Sequence, residues 1–157
     1  MSFVLDADII SVFAKIGRLE LLTAVFGHEL YMSEAVYHDL QRAKRAGYDY
    51  LNEALHIIKV LKADKSYLTL LTSKKLGTGE IECIALCKER TLIFVSNDEK
   101  AKSSAETLGI PVVDLATILW YLKDEHIVRK DELHKIVNDI EEKDNTILSG
   151  KEDLLAD

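Results

Sequence analysis

Six acids in this 157-residue chain fall where a carboxylate can do more than solvate a surface. Asp6 and Asp8 stand in VLDAD, directly after an apolar run, and Asp98 closes FVSND in the same way. Ligands of open parallel sheets bind outside the carboxyl ends of the strands, so an acid that immediately follows a strand carries more functional weight than one elsewhere. Carboxylates gathered at such an edge repel one another and need a cation or a proton between them. Local structure offers a competing explanation, because Asp is a favoured helix N-cap. Asp8 reads first as the cap of a helix beginning near Ile9, Asp6 as the strand-end acid, and Asp98 as either cap or ligand.

The other three acids lie on helices. Asp39 in SEAVYHDL flanks an apolar stripe through Val36 and Leu40, although most acids so placed are simply solvated. Glu80 and Glu82 occupy the first helical turn in GTGEIECIALC, where any acid interacts well with a helix N-terminus. Glu80 shares a face with Ile84 and Cys87 and so turns inward; Glu82 points elsewhere and is the weaker candidate.

The elements that must position these acids alternate. FVLD (3–6), ELYM (29–32), HIIKV (56–60), TLIFV (91–95) and PVVD (111–114) read as short buried strands. SVFAKIGRLELLTAVF, SEAVYHDLQRAKRA, YDYLNEAL, SYLTLLTSKKL, TGEIECIALCKE and DEKAKSSAETLG carry helical periodicity between them. Strand and helix in alternation require parallel pairing through right-handed crossovers. The expected fold is therefore α/β, a three-layer sandwich with a central, mostly parallel sheet of about five short strands flanked by helices. Residues 1–149 form one domain, with 115–149 as trailing helices, and 150–157 read as a polar tail prone to fraying.

Composition is that of an ordinary globular chain, 48% apolar and 30% charged, which excludes general disorder. No apolar run approaches the length of a membrane span. Cys83 and Cys87, four residues apart on one helix face, suit a packed core better than a disulfide, so a reduced, cytoplasmic setting is expected. Five scattered histidines show no ligand spacing. Trp120 and Tyr121 read as packing or subunit contacts, the latter consistent with a homodimer. The net charge of −7 speaks against a nucleic-acid partner at first sight, but residues 121–157 hold 11 of the 27 acids against 6 of the 20 basic residues. Basic residues follow or precede three of the acids: Arg42, Lys44 and Arg45; Lys74 and Lys75; Lys100 and Lys102. They read as a phosphate-binding rim or as solvated helix faces, with Lys102 spaced to pair with Asp98.

VLDAD, an acid in V-x-x-D-L after the second strand, GTGEIE before an Ala-containing helix, and SND followed by a helix and LGIPVVD together resemble the PIN-domain family, in order over residues 1–120. The layout of ATILWYLKDEHIVRKDELHKIVNDI is similar to a subgroup with two trailing helices. The resemblance implies that Asp6, Asp39, Glu80 and Asp98 form an acidic quartet that coordinates Mg²⁺ or Mn²⁺ and cleaves single-stranded RNA, with Glu82 the alternative to Glu80. It also implies a possible antitoxin-type protein partner. Asp8 departs from the family, where Ser, Thr or Asn is common, and Asn97 stands where some members carry another acid.

Two carboxylates about 4 Å apart repel by roughly 1 kcal/mol in water and about 4 kcal/mol at an effective dielectric near 20, so such a quartet needs a cation. Oxygen-only donors suit Mg²⁺ or Mn²⁺ rather than zinc. Two alternatives follow from the same residues. VLDAD also resembles the D-x-D motif of haloacid-dehalogenase-like phosphatases, with Asp6 as nucleophile and Asp8 as general acid. The PIN fold could also persist as a catalytically inactive module that binds RNA or protein.

Overall fold

The computed structural model describes residues 1–64, 68–69 and 75–157. Its five strands, β1 (Phe3–Leu5), β2 (Leu30–Ser33), β3 (Lys59–Leu61), β4 (Ile93–Val95) and β5 (Val112–Val113), form one sheet in the order β3-β2-β1-β4-β5, every neighbouring pair parallel. All of β1 is buried, with Val4 and Leu5 at 0% exposure although they point to opposite faces. Helices must therefore cover both faces, which is why the strands read as continuous apolar runs.

The helices among the described residues are α1 (Ala7–Lys15), α2 (Glu20–Phe26), α3 (Glu34–Arg45), α4 (Leu51–Ile57), α5 (Thr78–Arg90), α6 (Glu99–Thr107), α7 (Leu115–Asp124), α8 (Lys130–Lys143) and α9 (Lys151–Leu154). α3 packs on α5 and both on β2, while α7 packs on α2 and α8, and α1 touches both α3 and α8. Phe13, Phe94, Ile9, Ile10, Leu22 and Met32 are fully buried in a core that runs through both layers. Cys83 and Cys87 belong to it as free, buried thiols on α5. No helix among the described residues is long and apolar enough to cross a membrane.

Three elements differ from their sequence reading. The continuous helix expected over SVFAKIGRLELLTAVF is two helices, because Gly17 takes φ +70 after α1 and lets Arg18 N–H reach Phe13 O at 2.8 Å. The third strand begins three residues later than HIIKV suggested. Leu51, Ala54 and Ile58 bury one face at helical spacing, so His56 and Ile57 stay in α4 and pairing starts at Lys59. The polar tail is ordered: α9 buries Leu154 to 4% exposure, and Lys123 Nζ donates to Leu154 O at 2.7 Å and Ala156 O at 2.9 Å. Leu155 packs against the core beside it, so two apolar side chains and one lysine dock a segment that is otherwise polar. The helix expected over SYLTLLTSKKL falls largely outside the described residues.

The strand order reverses beside β1. From β1 the chain moves outward through β2 to β3, then returns to lay β4 on the other side of β1 and β5 beyond it. The loops leaving the carboxyl ends of β1 and β4 therefore part in opposite directions, opening a crevice where ligands of such sheets bind. Asp6 and Asp98 sit on those two loops.

Docking of the tail has a measurable stability consequence. Leu154→Ala should lower the unfolding free energy by about 2–3 kcal/mol, as for other buried leucines, in urea denaturation; a change within error would mean that the tail contributes nothing to the core.

Candidate active site

Asp6 is the centre of the site. Its N–H donates to Val95 O at 2.9 Å, extending the β1–β4 ladder by one residue and pinning Asp6 at the switch point. Its Oδ1 accepts the Ala7 N–H at 2.8 Å and its Oδ2 accepts the Ser96 hydroxyl at 3.0 Å. Asp6, not Asp8, is thus the N-cap of α1, because β1 stops at Leu5 and the helix starts at Ala7 instead of near Ile9. Asp8 stands in the first turn, with its residue surface exposed but its carboxyl set in the clefts on either side.

Burial pushes the Asp6 carboxyl up to about 6, against the two hydrogen bonds it accepts, and the negative charges of Asp8 and Glu80 add to the rise. Asp6 is only 5% exposed, so water cannot solvate the ion fully. Partial burial, then Asp98 and Asp144, push Asp8 upward, while Lys15 pulls it down.

Ser96, itself fully buried, joins the two strand-end acids: its hydroxyl donates to Asp6 and its oxygen accepts the Asp98 N–H at 3.2 Å. Asp98 caps α6 through the Ala101 N–H at 2.8 Å. Both strand-end acids therefore cap helices as well as facing the crevice, and the two roles are compatible because a carboxylate has more than one lone pair to give.

Two clefts meet at Asp8. One, of about 320 Å³, is lined by Asp6, Asp8, Asp39, Arg42 and the turn Gly77 to Glu80. The other, of about 370 Å³, is lined by Asp8, Ser11, Lys15, Asn97, Asp98 and Asp144, among others. Glu80 enters the first cleft with its Oε2 accepting the Gly77 N–H at 2.7 Å. Glu82 accepts the Ala35 N–H at 3.0 Å and lines an adjacent hollow with His38 and Asp39. Its carboxylate is engaged in tying α5 to the start of α3. Asp39 is ion-paired with Arg42. α3 and α5 approach each other there: a Cβ on Gly79 would make ordinary contact with Asp39 Oδ2, at 3.4 Å.

The structure thus brings Asp6, Asp39 and Glu80 to one cleft and Asp98 to the next, with Asp8 common to both. Among the described residues, no three acids, histidines or cysteines converge closely enough to make a ready ligand cluster. The donor set is nonetheless made of hard oxygens, with a buried carboxylate among like charges, which fits a Mg²⁺- or Mn²⁺-type ion better than a softer metal. Of the expected basic rim, Arg42 neutralises Asp39. Lys102 binds Glu99 at 2.9 Å and Asp114 at 3.1 Å, not Asp98 as its spacing suggested, because Asp98 turns its carboxylate onto the α6 N-terminus. Lys44, Arg45, Lys75 and Lys100 are exposed, and Lys74 lies outside the described residues.

Three contributors escape the sequence reading. Ser96 lies inside a recognised motif but shows its role only once β1 and β4 are paired. Lys15 could have been found, since Asp8, Ser11 and Lys15 fall on one face of α1. Asp144, 2.9 Å from Lys15 Nζ, comes from the end of α8 and leaves no local signal.

These features define a doubly wound parallel α/β domain with a carboxylate centre at its switch point. The chain belongs to the PIN-domain family: the family profile DUF3368, a PIN domain, matches residues 2–151. PIN domains are generally metal-dependent nucleases. In fold the chain is similar to a PilT N-terminus domain protein from the archaeon Sulfolobus solfataricus P2, with a TM-score of 0.55 and 16% identity over 75% of this chain and 90% of that one. It is likewise similar to PAE2754 from Pyrobaculum aerophilum, with a TM-score of 0.56 and 14% identity over 79% of this chain and 96% of that one. No curated protein matches the sequence.

The raised Asp6 carboxyl makes stability depend on pH in a definite direction. Between its unfolded value near 3.8 and about 6, the folded chain binds more protons than the unfolded one, so stability falls as pH rises through that window. The isosteric Asp6→Asn variant escapes this loss. Its stability relative to the unsubstituted protein should rise by about 2–3 kcal/mol between pH 4 and pH 7, in urea melts with EDTA present. A difference constant with pH would exclude burial of the Asp6 charge as the cause.

Proposed function

We propose that this chain is an endoribonuclease that hydrolyses phosphodiester bonds of single-stranded RNA with Mg²⁺ or Mn²⁺. The observation that carries this reading is the buried Asp6 carboxylate at the switch point, beside Asp8 and Glu80 and tied through Ser96 to Asp98. A buried carboxylate held near 6 by its surroundings is an unstable anion, and a hard cation relieves it better than any neighbouring side chain does.

In this reading Asp6 would be the central ligand, Asp39 and Asp98 would join it from the two adjoining clefts, and Glu80 would hold either the ion or the attacking water. Glu82 is less suited, being engaged with Ala35. A bound divalent ion supplies an acidified water as nucleophile and neutralises charge on the phosphate oxygens. Ser96 fixes the Asp6 carboxylate in one orientation. Arg42, 68% exposed at its side chain, can exchange Asp39 for a substrate phosphate once the acid is otherwise engaged. The phosphatase alternative is less favoured, because Asp6 as nucleophile would have to leave hydrogen bonds to both oxygens at 5% exposure.

Cleavage of a fluorescent single-stranded RNA with Mn²⁺ against EDTA tests the proposal. Asp6→Asn and Asp98→Asn should each lower the Mn²⁺-dependent rate by at least about 100-fold, or about 2.7 kcal/mol of barrier. Saturating Mn²⁺ should raise the thermal midpoint of the unsubstituted protein but not that of Asp6→Asn. Metal-independent cleavage, or equal rates in Asp6→Asn, would reject the assignment; no cleavage and no Mn²⁺ stabilisation would indicate an inactive binding module.

A further inference from the structure

One face of α1 is a polar track leading out of the acid centre. Asp8, Ser11 and Lys15 line the same cleft as Asp98, and the seven steps from the first to the last span about 10 Å of helix. At the far end Lys15 Nζ donates to Asp144 and stands 5.7 Å from the centre of the Tyr48 ring. The Ser11 hydroxyl lies 3.2 Å from that of Tyr50, whose ring is 6.4 Å from Tyr48 and tilted by 46°. The tyrosines do not line the cleft themselves but stand against two residues that do, Tyr50 against Ser11 and Tyr48 against Lys15.

Tyr48 is 54% exposed, yet it is not carried on a loose segment. Its N–H donates to Ala43 O at 2.9 Å where Gly47, at φ +105, turns the chain after α3. The ring has an ammonium over it and a second tyrosine beside it, and the residue as a whole is more than half exposed. Packing does not require a large aromatic there. A rigid ring with a free π-face next to a cation is what sequence-tolerant binding of single strands uses.

We propose that Tyr48 is a stacking platform for a nucleobase of the RNA strand lying in the acid cleft, with Lys15 beside it to meet the adjoining phosphate. This rests on the nuclease reading and extends it by giving the strand a direction, along α1 from Asp8 towards Lys15. Base stacking tolerates any sequence, so the contact favours unpaired over duplex RNA without selecting a base.

The test measures binding of a short fluorescent oligoadenylate and of an abasic phosphodiester strand of the same length by anisotropy in the uncleavable Asp6→Asn protein. Steady-state cleavage is followed in the otherwise unsubstituted protein. Adding Tyr48→Ala should weaken oligoadenylate binding by about tenfold or more, leave abasic-strand binding unchanged, and raise KM with little effect on kcat, while Tyr48→Phe restores both oligoadenylate binding and KM. Equal losses on both strands would overturn the proposal as a structural or purely electrostatic effect, as would no loss on either. If the unsubstituted protein cleaves and Tyr48→Ala matches it in KM, the platform falls and the nuclease reading stands. If nothing cleaves but the base-dependent loss of binding appears, the nuclease reading falls and the platform stands.

Discussion

The hydrogen bond from Asp6 N–H to Val95 O fixes where the two halves of the sheet meet, and most of the site depends on it. It carries the ladder one residue beyond β1 and so places a carboxylate inside the structure, where, among the described residues, Ala7 N–H and the Ser96 hydroxyl donate to it. The same carboxylate caps α1 and thereby sets where that helix begins. With the start fixed, Ile9, Ile10 and Phe13 face the core, and Asp8, Ser11 and Lys15 line the cleft. Lys15 then reaches Asp144 and couples the trailing helix α8 to the site.

The acids of the crevice are not equivalent in how their charge is met. Asp39 has Arg42, Asp144 has Lys15, and Glu80 and Asp98 accept backbone N–H groups at helix starts, where the peptide dipoles favour negative charge. Asp6 has two neutral donors and no cation among its described hydrogen-bond partners. Asp8 has only the influence of a lysine already paired elsewhere. The poorly compensated charge therefore concentrates where the two clefts meet, which is where a divalent ion would gain most. Burying it without one costs folding free energy, a pattern expected of a functional site and not of a structural ion pair.

The acidic balance of the chain has a different origin. Much of it lies on the trailing helices, where Glu141 pairs with Lys151, Asp139 with Lys135, and Asp144 with Lys15. Pairs at the surface add little stability, and their effect here is to neutralise acids locally. The crevice itself carries Arg42 and Lys15 at opposite ends, each paired with an acid, Asp39 and Asp144.

The sequence by itself determined the layer architecture and the two strand-end acids. Hydrophobic runs and helical periodicity are local signals, and a parallel strand buried on both faces announces itself by being apolar throughout, as in Phe3–Leu5 and Ile93–Val95. Asp6 and Asp98 were legible for the same reason, since each follows such a run directly. Local signals misplaced the start of β3 and missed the break at Gly17, where helix and strand compete for the same apolar residues. Only the tertiary structure decided that Asp6 and not Asp8 caps α1, that Glu80 enters the cleft while Glu82 binds α3, and that Ser96, Lys15 and Asp144 belong to the site. Those outcomes turn on hydrogen bonds and charge pairs between residues as far apart as 129 positions. Coulombic and hydrogen-bond energies depend on distance in space, and spacing along the chain carries no record of it.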